Sequence, residues 1–196
     1  MGELAETATL ALLGGGRSRR MGRPKLLLAM PAQEGGGGTL LEWLCSRLAP
    51  GFDELLICAP PEQVPERLRQ HARPDLRAGL GPLAGIETAL LASASSLVAV
   101  VATDMPWVGP DVLATLRSAV RGQEAAAACA AGQVEPLCAV YRTSVLARVQ
   151  QRLDDGRLAA RGLLDDLQVV LVEIDPDRLR SLNTPGDYER FRGSLG

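Results

Sequence analysis

The chain has 196 residues, of which 46% are hydrophobic and 22% charged, and a formal net charge of −2. This suits one globular domain with a sizeable core and excludes a disordered chain. Near-neutrality and an aromatic content of 3% argue against a general nucleic-acid binder, which needs a broad basic face or stacking platforms. Cys45, Cys58, Cys129 and Cys138 show no C-x-x-C spacing and His71 is the only histidine, so a zinc site and Ser-His-Asp catalysis both lack their residues. The cysteines read as reduced packing residues, and His71 as a surface residue at a polar helix end. No apolar run reaches membrane-spanning length, and the amino terminus is acidic where a signal peptide would be basic, so a cytoplasmic protein without a membrane partner is expected.

In chain order, Thr9–Leu13 has strand character and runs into Gly14-Gly15-Gly16-Arg17-Ser18-Arg19-Arg20-Met21-Gly22-Arg23-Pro24-Lys25. Gly35–Gly38 reads as a flexible tip, and Thr39 as the cap of a helix through Leu40, Leu41, Leu44 and Leu48. Glu54–Ala59 is the second strand; Pro60-Pro61 stops it, and a helix through Val64 and Leu68 is expected next. A short strand is expected near Asp75-Leu76-Arg77. Gly81-Pro82-Leu83-Ala84-Gly85 opens a helix with Pro82 in its first turn and Ile86, Ala89 and Leu90 inward.

Leu97–Ala102 is apolar on both faces, as a central parallel strand should be, and ends in Thr103-Asp104-Met105-Pro106. A helix from Pro110 to Val120 follows, then an apolar run at Ala125–Ala130, a strand over Gln133–Tyr141 and a helix through Val145, Leu146 and Val149. Val169–Val172 is the last strand, and Thr184 caps a terminal helix with Pro185 at its first position. This alternation predicts an α/β fold of one domain spanning 1–196, a mostly parallel sheet between two helical layers.

Open parallel sheets bind ligands beyond the carboxyl ends of their strands, and both the glycine-rich basic loop and Asp104 fall at such ends. Glycines let backbone N–H groups approach phosphate oxygens, and Arg17, Arg19, Arg20, Arg23 and Lys25 bring countercharge, so the loop reads as one that wraps a nucleoside triphosphate. The competing reading is a solvated basic turn. It is not a Walker loop, because Pro24 precedes Lys25 and Leu26 follows it, and the third glycine of a dinucleotide fingerprint is replaced by Arg19. Asp104 is placed to hold Mg²⁺, the alternative being an Asx turn before Met105-Pro106.

With these residues in view, the chain resembles the MobA-type molybdenum cofactor guanylyltransferases of the nucleotidyltransferase superfamily. The resemblance rests on the loop from Gly14 to Lys25, on Gly81–Gly85 and on Thr103–Pro106. It extends through Glu135-Pro136-Leu137-Cys138-Ala139-Val140-Tyr141-Arg142 and Leu182-Asn183-Thr184-Pro185-Gly186-Asp187, and so covers almost the whole chain. It implies a Rossmann-like three-layer sandwich of the nucleoside-diphospho-sugar-transferase type. The implied reaction moves GMP from GTP to molybdopterin or its molybdenum-bound form, releasing pyrophosphate, with Mg²⁺ as cofactor. Other molybdenum cofactor biosynthesis proteins and recipient molybdoenzymes are the implied partners.

By position, Leu13, Gly14, Gly15 and Gly16 would line the nucleotide together with Gly81 and Pro82. Arg20 and Lys25 would neutralise the triphosphate, Asp104 would bind the metal, and Asn183 would lie nearby. Asp75 matches an acidic nucleotide contact or is an ordinary turn carboxylate. Two features depart from the family pattern: Gly14 stands where alanine is usual, and Ala59-Pro60-Pro61 lacks the side-chain donor often found beside the base. Competing readings are a MocA-type cytidylyltransferase using CTP, on the loop Met21–Leu28, a sugar-phosphate nucleotidyltransferase, and a nonenzymatic nucleotide-binding adaptor.

Overall fold

The computed structural model describes residues 6–14, 25–31 and 38–195. Six strands, β1 (Ala8–Leu13), β2 (Glu54–Cys58), β3 (Leu97–Ala102), β4 (Ala125–Ala130), β5 (Gln133–Arg142) and β6 (Val169–Glu173), form one sheet in the order β2-β1-β3-β5-β4-β6. β1 pairs in parallel with β2 and β3, and β4 with β6; β5 runs antiparallel to both β3 and β4. The sheet is therefore mixed and mostly parallel, as expected, with β5 as its reversed strand. The reversal comes from a tight connection at Ala131 and Gly132, both at positive φ, which sends the chain straight back along β4.

Helices α1 (Leu40–Leu48), α3 (Pro110–Ala119) and α6 (Pro185–Gly193) pack on one face. Helices α2 (Pro82–Ala92), α4 (Leu146–Asp154) and α5 (Ala160–Asp165) cover the other. β1 and β3 are buried at every position; apart from Thr9, whose hydroxyl donates to Glu54 Oε2 at 2.7 Å, both are apolar on both faces.

Thr39 and Glu42 form the capping box that starts α1, and Thr184 with Asp187 forms the one that starts α6, each satisfying N–H groups that a helix leaves unpaired. The Thr184 hydroxyl and the Asn183 and Thr184 N–H groups hold the Asp187 carboxyl down at about 2. Trp43 of α1 and Trp107 meet Phe191 edge-on at 5.2 and 5.0 Å and fasten α6 across that face.

Three expectations need correction. The segment around Val64 and Leu68 is not an α-helix but two 3₁₀ stretches, Pro61–Gln63 and Glu66–His71; Pro65 interrupts the periodic pattern, and of the apolar residues only Val64 is buried. Asp75-Leu76-Arg77 is no strand, because the Leu76 N–H donates to Thr88 Oγ1 at 3.2 Å on α2 rather than to a ladder. α5, six residues long, has no counterpart in the sequence reading. His71 is half-buried, its Nδ1 lying 3.2 Å from the Leu55 carbonyl. All four cysteines are free and buried, and burial pushes the Cys45, Cys58 and Cys138 thiols up to about 12, so they pack as neutral groups.

Candidate active site

β1 lies between β2 and β3, and the chain leaves it first toward one neighbour and later toward the other, which makes its carboxyl end the switch point of the sheet. There Leu13 pairs with Ala102, so the segments that leave β1 and β3 start side by side. Thr103 locks them together: its N–H and its hydroxyl both donate to the Leu13 carbonyl, each at 3.1 Å. The Gly14 N–H donates to the Cys58 carbonyl at 3.0 Å. That donor is committed to the sheet and is not offered to a phosphate.

A Cβ at position 14 would sit 2.8 Å from a Leu26 methyl and 3.0 Å from the Ala59 methyl. Glycine here lets the segment bearing Lys25 pack against the end of β1, a closer approach than the looser loop suggested by its replacement of alanine. Gly15, Gly16 and Arg20 lie outside the described residues, as do Arg17, Arg19, Arg23 and the tip Gly35–Gly37.

Lys25 opens a 3₁₀ turn through Leu27 whose next residue is anchored in the core: Leu26 and Leu28 are each 1% exposed. From this fixed backbone the Lys25 Nζ donates to Asp104 Oδ2 at 2.9 Å and to Asn183 Oδ1 at 3.3 Å. Asp104 is in turn held by its backbone, since its carbonyl accepts from the Leu182 N–H at 2.7 Å and so ties the approach to α6 to the end of β3. The Asn183 N–H donates to Asp187 Oδ2 at 3.0 Å, and Tyr188 donates its hydroxyl to the Ala29 carbonyl. Three residues distant in sequence, Lys25, Asp104 and Asn183, thus converge as expected. The side chains of Lys25 and Asp104 keep 19% and 29% of their surface exposed, enough to meet a ligand.

On the α2 side, Gly81 has φ +80, a conformation that favours glycine, and Pro82 takes the first helical position as predicted. A Cβ on Gly85 would come within 3.3 Å of the Leu13 side chain and 3.7 Å of Asp75 Oδ1, which places Asp75 near the carboxyl end of β1. Asp75 Oδ1 is buried without a hydrogen-bond partner, and burial holds this carboxyl above its ordinary range. A buried carboxylate oxygen without a partner is an acceptor that N–H donors of a ligand could satisfy.

Asp75→Asn should therefore raise the thermal unfolding midpoint while weakening nucleotide binding. The sign follows from the raised carboxyl: protonation favours the fold, so stability is greatest below the unfolded value near 3.8 and is lost as pH rises through the folded one. Thermal melts of the two proteins from pH 4 to 8 check this. The midpoint advantage of the asparagine variant should grow with pH, and an advantage independent of pH would refute the cause.

The family of MobA-like NTP transferase domains matches residues 10–170, spanning β1, Lys25, Asp75, α2, Asp104 and β5. The chain belongs to this family. A probable molybdenum cofactor guanylyltransferase from Carboxydothermus hydrogenoformans is 30% identical to it over 194 residues, covering 95% of each chain. The crystal structure of molybdopterin-guanine dinucleotide biosynthesis protein A from Archaeoglobus fulgidus superposes with a TM-score of 0.76 at 26% identity, covering 95% of this chain and 98% of that one. The 2-C-methyl-D-erythritol 4-phosphate cytidylyltransferase of Thermus thermophilus, 22% identical, shares the fold with a TM-score of 0.70 over 94% of this chain and 97% of its own. This MobA-like chain is thus a nucleotidyltransferase with the three-layer fold that its motifs implied.

Sequence reasoning quoted Thr103 and Leu182 within motifs but did not see their work, which is to clamp strand ends and helix start around Asp104. Nor did it give Asp187 its capping role, although Thr184 three residues earlier is the signal for it.

Proposed function

We propose that this MobA-like protein transfers GMP from GTP to molybdopterin or molybdenum-bound molybdopterin, forming the guanine dinucleotide cofactor and pyrophosphate. The observation that carries the proposal is the convergence of Lys25, Asp104 and Asn183 at the switch point of the sheet. A terminal phosphate oxygen of the acceptor attacks the α-phosphorus of GTP; a phosphoanhydride bond forms, and the bond to the β-phosphate breaks with its electron pair leaving on pyrophosphate. The nucleophile is already anionic, so alignment and charge neutralisation suffice without a strong base. The absence of histidine from the site is then no obstacle.

In this reading Lys25, with Arg20 from the glycine-rich loop, opposes charge on the pyrophosphate, while Leu13, Gly14, Gly15, Gly16, Gly81 and Pro82 shape the nucleotide cleft. Asp75 accepts from N–H groups of the base; guanine presents two adjacent donors, whereas the pairing edge of cytosine presents a single amino group. That difference favours GTP over the CTP of a MocA-type enzyme. Asp104 and the Asn183 carbonyl are hard oxygen donors suited to Mg²⁺, which would supply positive charge against the phosphate oxygens. Among the described residues no helix is long and apolar enough to cross a membrane. With the neutral buried thiols, this supports work in the cytoplasm beside other proteins of molybdenum cofactor synthesis and the recipient molybdoenzymes.

Pyrophosphate release from each of the four nucleoside triphosphates, with molybdopterin and Mg²⁺, tests the reading. GTP should give the highest kcat/KM. Equal or better turnover with CTP would overturn the guanylyl assignment, and no metal-dependent release from any of them would favour an adaptor.

A further inference from the structure

The motif Glu135-Pro136-Leu137 stands in the middle of the sheet, where proline is normally excluded because it cannot donate to a ladder. The structure explains it by a bulge. β5 pairs with β3 up to Cys138 opposite Val101, and against β4 the register jumps between Ala127, opposite Ala139, and Ala128, opposite Glu135. Residues 136–138 are the extra ones.

The bulge is held from both sides. The Tyr141 hydroxyl, wholly buried, donates to the Pro136 carbonyl at 2.8 Å, and Glu135 Oε1 accepts from the Leu137 N–H at 3.0 Å. Bulges beside active sites re-aim side chains. Here the side chain re-aimed is Glu135. Its partner Ala128 faces the core shared with Leu26, Met105 and Leu182, the residues adjoining Lys25, Asp104 and Asn183, and directly opposed strand residues share a face. The two carboxylates lie close enough that Asp104 adds to the effect of burial in holding the Glu135 carboxyl above its ordinary range.

The strand order separates the roles. Gly14 leaves β1, Asp104 leaves β3, and Glu135 stands on β5, on the far side of β3 from β1. In-line displacement puts the attacking and leaving oxygens on opposite sides of phosphorus, so a group beyond Asp104 from the triphosphate faces the attacking partner. We propose that Glu135 contacts the acceptor, its carboxylate receiving hydrogen bonds from N–H groups of the acceptor's heterocycle and so orienting the attacking phosphate toward Asp104. This rests on the reading of the protein as a nucleotidyltransferase with a pterin acceptor. Tyr141 is the positioning residue behind Glu135. A pterin, with its ring N–H and exocyclic amine, has the donor pair that such a carboxylate matches.

The test measures KM for molybdopterin and for GTP, together with Mn²⁺ affinity in the presence of GTP by electron paramagnetic resonance, in the full-length chain. Glu135→Ala should raise the molybdopterin KM by about tenfold or more, while the GTP KM and the Mn²⁺ affinity stay within about twofold. Glu135→Gln retains an acceptor for the Leu137 N–H and thereby the bulge, and should give a smaller rise in the same parameter. Tyr141→Phe, which frees the Pro136 carbonyl, should raise it about threefold. An unchanged molybdopterin KM in Glu135→Gln and Glu135→Ala, with normal wild-type turnover, overturns the assignment alone. A tenfold or larger fall in Mn²⁺ affinity would make Glu135 a metal ligand instead. Wild-type protein that fails to use GTP with molybdopterin would overturn the parent reading together with this one.

Discussion

Replacing Lys25 with alanine is expected to lower single-turnover pyrophosphate release at saturating GTP by about a hundredfold or more, the equivalent of roughly 3 kcal/mol for one preorganised contact to developing charge. Replacing Arg23 should change it little. The contrast comes from what fixes each side chain. Lys25 is anchored by the buried Leu26 and Leu28 on its carboxyl side and by Asp104 and Asn183 at its tip, so its ammonium needs little reorganisation to meet a phosphate. Arg23, in the glycine-rich loop, is not among the residues that the resemblance assigns to the triphosphate.

A purely structural ion pair makes a different prediction. Removing Lys25 would then lower the unfolding midpoint and slow turnover only as far as the fold is lost. A variant that melts close to the wild type yet loses its rate would mark Lys25 as acting in turnover, since both side chains reach the surface with 19% and 29% of their area exposed. Equal release rates for the two variants would remove Lys25 from the site assignment.

The elements that carry the site were legible because their signals are local. β1 and β3 are short runs, apolar but for Thr9, ended by glycine or by Thr-Asp, and α6 carries Thr184, Pro185 and Asp187 at the cap, first and third helical positions. Misread segments are those where a tertiary partner decided. The stretch after Pro60 has helical spacing at Val64 and Leu68, yet Pro65 leaves only 3₁₀ turns, and Asp75-Leu76-Arg77 is pinned by Thr88 rather than paired as a strand. Ala125–Ala130 carries no type in the sequence because a run of small apolar residues lacks both periodicities; its place between β5 and β6 makes it a strand.

The same distinction divides the site. Lys25 and Asp104 were found from the rule that ligands sit beyond strand ends. Asn183 was placed by family resemblance, and the structure supplies its physical reason, the Lys25 contact. Glu135 was quoted in a motif without a role, since a β-bulge appears only when registers on both sides of a strand are compared. At Gly14 the N–H is taken by the Cys58 carbonyl, and what the structure requires of this position is the missing side chain, which lets Leu26 and Ala59 pack close.

Asp104→Asn is expected to leave the fold intact and to reduce Mg²⁺-dependent turnover by about a hundredfold or more, by removing charge where the phosphates and their cation must meet. The fold should hold because the backbone carbonyl of Asp104, not its carboxylate, fastens Leu182 and so the start of α6. The amide oxygen can still accept from Lys25, which preserves the geometry of the cluster while removing its only carboxylate. If Asp104 served merely to hold Lys25, the asparagine variant would therefore retain most of its rate at every Mg²⁺ concentration. If it holds the cation, Mn²⁺ affinity measured by electron paramagnetic resonance with GTP should fall about tenfold or more, and excess Mg²⁺ should restore part of the rate. Normal turnover at limiting Mg²⁺ with unchanged Mn²⁺ affinity would move the metal away from Asp104 and leave that carboxylate as the partner that orients Lys25.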